Sequence, residues 1–140
     1  MWLDKIRIIN STKQIDGVLD KKALTDTHKD LKIKKPVDYH FVGDNELLTL
    51  NRKTLSHNYY TDIITFDYED DEDLTENEIV ISWERVGYNA KKYNESFKRE
   101  LHRVCIHGLL HLAGYNDLTP GEKEKMRKEE DRFLTLYCST

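Results

Sequence analysis

Two histidines four residues apart, a glycine three beyond the second and an aspartate three beyond that are the chain's most chemically suggestive group: His107, His111, Gly114 and Asp117. On a helix, positions i and i+4 lie one above the other, so His107 and His111 present two imidazoles to one metal ion. Glycine most readily takes the left-handed conformation that ends a helix, so Gly114 lets the chain double back. Asp117 then offers a carboxylate oxygen to the same ion. Two nitrogens and one oxygen leave a fourth position open, the arrangement of a catalytic rather than a structural site. The competing reading is a pair of core histidines satisfied by backbone carbonyls. The helix-stopping glycine and the acid after it favour the metal.

The helix that must carry the histidines is nearly all apolar. At about 100° per residue, Leu101, Cys105, Gly108, Leu109 and Leu112 share one face, and Ile106 and Leu110 extend it round the far side. Glu100, Val104, His107 and His111 form a separate strip with Arg103 at its edge. Such a helix is central and buried, so its polar strip lines a cleft or is paired internally. Cys105 points away from the strip and is excluded as a ligand.

The glycine and third-ligand spacing is that of the metzincin proteases, whose motif begins His-Glu with the Glu as general base. Here that position is Gly108, which disfavours a peptidase. The run His107-Gly108-Leu109-Leu110-His111-Leu112-Ala113-Gly114-Tyr115 instead resembles the YbeY family of metal-dependent endoribonucleases, whose signature is His-Gly-x-Leu-His-Leu-x-Gly-Tyr-Asp-His. Asn116 stands where that family has Asp, and Asp117 where it has a third His. Aspartate also ligates zinc, though a harder oxygen donor widens the choice of metal. Upstream, Leu50-Asn51, Thr61-Asp62 and Phe66 keep the family register, with Asn77-Glu78 in place of its Gly-Asp. The family's Arg, four residues after the Asn, is replaced by Leu55.

The resemblance spans roughly Glu46 to Asp117. It implies a zinc-dependent, single-strand-specific endoribonuclease acting in 16S rRNA 3′-end maturation and ribosome quality control. It implies one Zn(2+) per chain on His107, His111 and Asp117, with the 16S rRNA precursor and the small ribosomal subunit as partners. With Leu55 in the family Arg's place, a phosphodiester needs another donor; His57 is the nearest candidate, and Arg52 and Arg103 are the next. His57 and Arg103 are the candidate catalytic residues. Tyr59, Tyr60 and Tyr115 are candidates for filling the edge of the core or, failing that, for stacking on splayed bases. Two other functions stay open: a metallohydrolase of a peptide or small molecule, and a non-catalytic ribosome-binding factor with a structural metal.

At 140 residues the chain makes a single domain, residues 1–140, with room for one core. A net charge of -4 gives no global attraction to nucleic acid, so RNA requires a local patch. No apolar run reaches the ~18 residues of a membrane span and no signal peptide is evident, so a cytoplasmic protein is expected. Cys105 and Cys138 make no disulfide framework.

Periodicity predicts strands at Trp2–Ile9, Val37–Val42, Ile63–Tyr68 and Glu78–Ser82. Helices are predicted over Asp20–Lys32, from Glu46 to Leu55 behind an Asp44 N-cap, and over Trp83–Asn94. The metal helix is capped by Ser96, and a last helix starts at the Thr119–Glu122 capping box with Met126, Phe133 and Leu134 buried. Leu47, Leu48, Leu50 and Leu55 are expected in the core, His28 at the surface, His40 in a structural role, and the acidic run Glu69–Asp73 in a solvated loop. The expected fold is α+β: one domain, a four-stranded mixed sheet and about five helices, with the metal helix central.

Overall fold

The computed structural model describes residues 4–56 and 59–138. Its sheet comprises β1 (Ile6–Asn10), β2 (Val37–Val42), β3 (Ile63–Phe66) and β4 (Asn77–Ser82). The strand order is β1-β2-β4-β3, parallel except for β3, which runs antiparallel to β4 at the edge. The β-branched run Ile79-Val80-Ile81 suits a central strand covered on both faces, and every β4 residue except Glu78 is buried. β3 ends two residues before Tyr68, whose N–H donates to the Asn77 side-chain oxygen at 2.7 Å instead of continuing the ladder.

The two sheet faces are covered differently. Val37, Tyr39, Phe41, Ile79 and Ile81 join the main core, while Ile64 and Val80 meet Leu47 in a smaller cluster. The main core is built on α5 (Phe97–Leu112), where Leu101, Cys105, Ile106, Leu109 and Leu110 are fully buried. Each fully buried Leu or Ile contributes about 1.5–3 kcal/mol, enough collectively to fix this helix on the sheet. Around it lie α2 (Lys21–Asp30), α4 (Trp83–Lys92) and α6 (Pro120–Tyr137), and α3 (Asp44–Leu55) carries Leu47 to the smaller cluster. The four-stranded mixed sheet and the central α5 match expectation. The sixth helix among the described residues, α1 (Lys13–Asp16), is one turn long and too short to show a period.

Capping sets the helix starts. Ser96 accepts from Arg99 N–H at 3.0 Å, and Thr119 and Glu122 form the expected capping box. Gly43 rather than Asp44 is the N-cap of α3, so Asp44 falls in the first turn, where its carboxylate pairs with Arg85 at 2.7 Å. β1 begins at Ile6; residues 1–3, in the predicted start of that strand, lie outside the described residues. Met126, Phe133 and Leu134 are buried as expected.

Three placements differ from expectation or refine it. His28 is buried rather than superficial, 2 % exposed, because Nε2 donates to the Lys35 carbonyl at 2.8 Å; burial lowers its pKa. Leu55 is 46 % exposed rather than in the core. Within the acidic run, Asp70 to Asp73 are exposed, but Glu69 is tethered by Lys34 N–H and Lys35 N–H, each at 2.9 Å. His40 reaches Glu78 on the neighbouring strand at 3.2 Å, a structural contact across the sheet. No helix among the described residues is long and apolar enough to cross a membrane.

Candidate metal centre

Helical spacing, a left-handed turn and a returning helix bring the site together. His107 and His111 lie on successive turns of α5, their rings edge to face with centroids 4.6 Å apart. Gly114 then adopts φ +99°, and Tyr115 N–H reaches back to the Leu110 carbonyl at 3.0 Å, closing the helix end. The reversed chain delivers Asp117. His107 Nε2 and His111 Nε2 are 3.0 Å apart, and Asp117 Oδ2 is 3.2 Å from the first and 3.5 Å from the second.

These distances fit one ion. Nitrogen and oxygen ligands about 2.0–2.1 Å from a tetrahedral metal stand about 3.3–3.4 Å from one another. The donor chemistry fits as well. His107 Nδ1 faces the Glu130 carboxylate at 2.6 Å, so in the neutral ring the proton sits there and Nε2 offers its lone pair to the focus. A lone pair, a second imidazole nitrogen and a carboxylate oxygen converge where a divalent cation satisfies all three.

Electrostatics separate the two histidines. Burial lowers the His107 pKa, but the Glu130 hydrogen bond and the charges of Glu130, Asp117 and Asp62 outweigh it and hold the pKa above its ordinary value. His111 is lowered by burial and by its neighbour His107, against the pull of Asp117. Burial raises the carboxyl of Asp62, with His107 opposing it. On the same α5 strip, burial pushes Glu100 up to about 7 despite Arg103.

The three residues sit between two cavities. One, about 460 Å³, runs along edge strand β3 and is lined by Leu55, Asp62, Ile63 and Thr65 together with His107, His111 and Asp117. The other, about 310 Å³, shares Asp62, His107 and Asp117 and adds Asn89, Tyr93, Glu100, Arg103 and Arg127. Of the two outcomes its pattern allowed, the polar strip of α5 lines a cleft, and Arg103 and His107 are also paired internally with Glu130. Leu55 opens onto the first cavity, which explains its exposure.

The other candidates fall differently. Cys105 is buried in the main core, away from the focus, and burial raises its thiol pKa steeply. Arg103 reaches the second cavity, but its guanidinium is held by Glu130 at 3.1 Å and Asp131 at 2.9 Å. His57 lies outside the described residues. Tyr59 and Tyr60 are exposed, with the Arg85 guanidinium 4.9 Å over the Tyr60 ring; Tyr115 packs against the core. Sequence reasoning passed over Glu130. Its signal was a lone carboxylate on the buried stripe of α6, four residues after Met126 and three before Phe133.

This chain is similar to known proteins. A family model described as Endoribonuclease YbeY matches residues 4–137. A Cytophaga hutchinsonii protein named Endoribonuclease YbeY is 51% identical over 100 residues, covering 71% of this chain and 70% of that one. A Parabacteroides distasonis protein of the same name is 42% identical over 115 residues, covering 82% and 79%. The solution structure of TM1509 from Thermotoga maritima superposes with a TM-score of 0.63 at 28% identity, covering 93% of this chain and 89% of that one.

Proposed function

This chain belongs to the endoribonuclease YbeY family, and from that premise we propose that it cuts single-stranded RNA with one zinc ion held by His107, His111 and Asp117. It is a hydrolase of RNA phosphodiester bonds, of a family named for that activity. The proposed setting is 3′-end maturation of 16S rRNA and ribosome quality control, on the small subunit in the cytoplasm. The observation that carries the site assignment is the convergence of two Nε2 atoms and one carboxylate oxygen within 4.8 Å of one another, between two cavities.

When bound, the ion supplies Lewis-acid polarisation of the phosphodiester and acidifies a water molecule. The protein's side chains do the rest. Asp62 lines both cavities beside His107 and Asp117 and is the proposed proton acceptor, a role its burial-raised pKa suits. His57, two residues beyond Leu55 in the sequence, is the proposed phosphate donor in place of the family Arg. Tyr59 and Tyr60 offer exposed rings on which bases stack.

The peptidase alternative is disfavoured by Gly108, which packs on Ile79 and Ile63 of the sheet, where even a Cβ would force the Ile79 side chain to shift. The test is a cleavage assay with zinc-loaded protein. Single-stranded RNA carrying the 16S 3′ precursor end should be cut, duplex RNA spared and casein left intact, with a chelator abolishing the activity. Asp62→Asn should keep its metal and lose most of its turnover. Proteolysis that survives repurification, with RNA untouched, reverses the proposal.

A further inference from the structure

Glu130 contributes no atom to the three-atom focus, yet it makes a close hydrogen bond to one of the three candidate ligands. Its Oε2 accepts from His107 Nδ1 at 2.6 Å, on the side of the ring away from Nε2. Its other oxygen is held by Arg103 Nη1 at 3.1 Å, and Arg103 is braced in turn by Asp131 at 2.9 Å. The side chains of Glu130 and Arg103 are 7% and 11% exposed. A carboxylate this buried is costly unless paired, and the Arg103 fork offsets that cost while fixing where Oε2 points.

We infer that Glu130 is a positioning residue for the metal centre: it fixes the tautomer and orientation of His107 so that Nε2 presents its lone pair to a divalent cation. The inference rests on the metal-binding reading above. A carboxylate on Nδ1 leaves the proton there, which makes Nε2 the free donor and keeps the ring from turning. It also makes the imidazole a stronger base toward the ion. Arg103, considered from the sequence as a phosphate donor, acts here from behind the site by holding Glu130. The arrangement spans 23 positions between His107 and Glu130 and joins α6 to the ligand helix.

The rival explanation is that Glu130 and Arg103 merely tie α6 to α5. A purely structural pair changes stability, whereas a positioning residue changes the metal affinity of the folded protein and the protonation pattern of one ring. Two measurements separate them. Long-range proton–nitrogen NMR of the metal-free protein, well above the ordinary histidine pKa of about 6.5, should show His107 protonated at Nδ1. Competition of zinc and cobalt against a chelator should show Glu130→Gln binding roughly 10–100-fold more weakly than the unaltered chain, with Glu130→Asp in between.

Protonation of His107 at Nε2 in the unaltered protein overturns the inference whether or not the variants fold. Equal affinity in folded Glu130→Gln overturns it as well. If the unaltered chain takes up neither ion, the metal-centre reading itself fails, and the inference falls with it. That result is distinct from a chain that binds metal regardless of Glu130.

Discussion

Gly108 lies so close to Ile79 that a Cβ on the glycine would stand 2.7 Å from Ile79 Cδ1, and 3.1 Å from Ile63 Cδ1. The residue after the first candidate ligand therefore faces the sheet rather than the cleft. A glutamate there would be pushed against the side chains of Ile79, which is fully buried, and Ile63, which is partly buried, neither of which offers its carboxylate a partner. The missing protease base and the tight helix–sheet contact are two views of one packing decision.

That contact makes a measurable prediction. Gly108→Ala gains about 1 kcal/mol in helix propensity but overpacks the interface by about 1–3 kcal/mol, so a net loss up to about 2 kcal/mol is expected. Ile79→Val removes the offending Cδ1 and alone should cost about 0.5–1.5 kcal/mol. Combined, the two should cost less than their sum, because the alanine methyl occupies the vacated space. Urea unfolding of the four proteins tests this, and strict additivity would count against the close contact.

His111→Ala removes one of three converging donors. Metal content by mass spectrometry should drop from close to one equivalent per chain to near zero, with the circular dichroism of the fold retained. His111 lies on the cleft strip rather than in the main core, so its loss should leave packing intact. Unchanged metal content in the variant would place the ion elsewhere.

Leu55 opens onto the 460 Å³ cavity, so Leu55→Arg, which adds a phosphate donor there, should accelerate RNA cleavage. His57→Ala should slow it. A charge-assisted hydrogen bond to phosphate is worth about 1.5–3 kcal/mol, or roughly one to two decades in rate if made in the transition state. A parent-like rate in His57→Ala would make His57 a bystander.

Away from the site, His102 should make stability acid-sensitive. Its Nδ1 donates to the Lys98 carbonyl at 2.7 Å, and its Nε2 accepts from Asp20 N–H at 2.9 Å. Burial lowers its pKa by penalising the charged ring, and protonating Nε2 would also cost the hydrogen bond it accepts from Asp20 N–H. A folded pKa below the unfolded one means this contribution is full above about pH 6.5 and is lost as pH falls through the folded value. His102→Gln should be less stable at neutral pH and should lose less between neutral and mildly acidic pH than the parent. Parallel pH profiles of the two unfolding midpoints would exclude His102 as a source of the acid sensitivity.

What the sequence by itself determined is what local geometry controls. The spacing of His107 and His111, the Gly114 stop, the Ser96 cap and the Thr119 box act within a helical turn or two, so they were legible from residue order. The apolar wrap of the metal helix likewise announced its central place. What only the tertiary structure decided depends on residues distant in sequence. Glu130 meets His107 because α6 packs back along α5, and its pattern showed only a carboxylate on an apolar stripe. Leu55, a core residue by periodicity, faces a cavity because α3 ends at the cleft rim. His28 is buried because the chain returns Lys35's carbonyl to it. The reason for Gly108 lies in two strands, β3 and β4, whose isoleucines meet the helix at that one position.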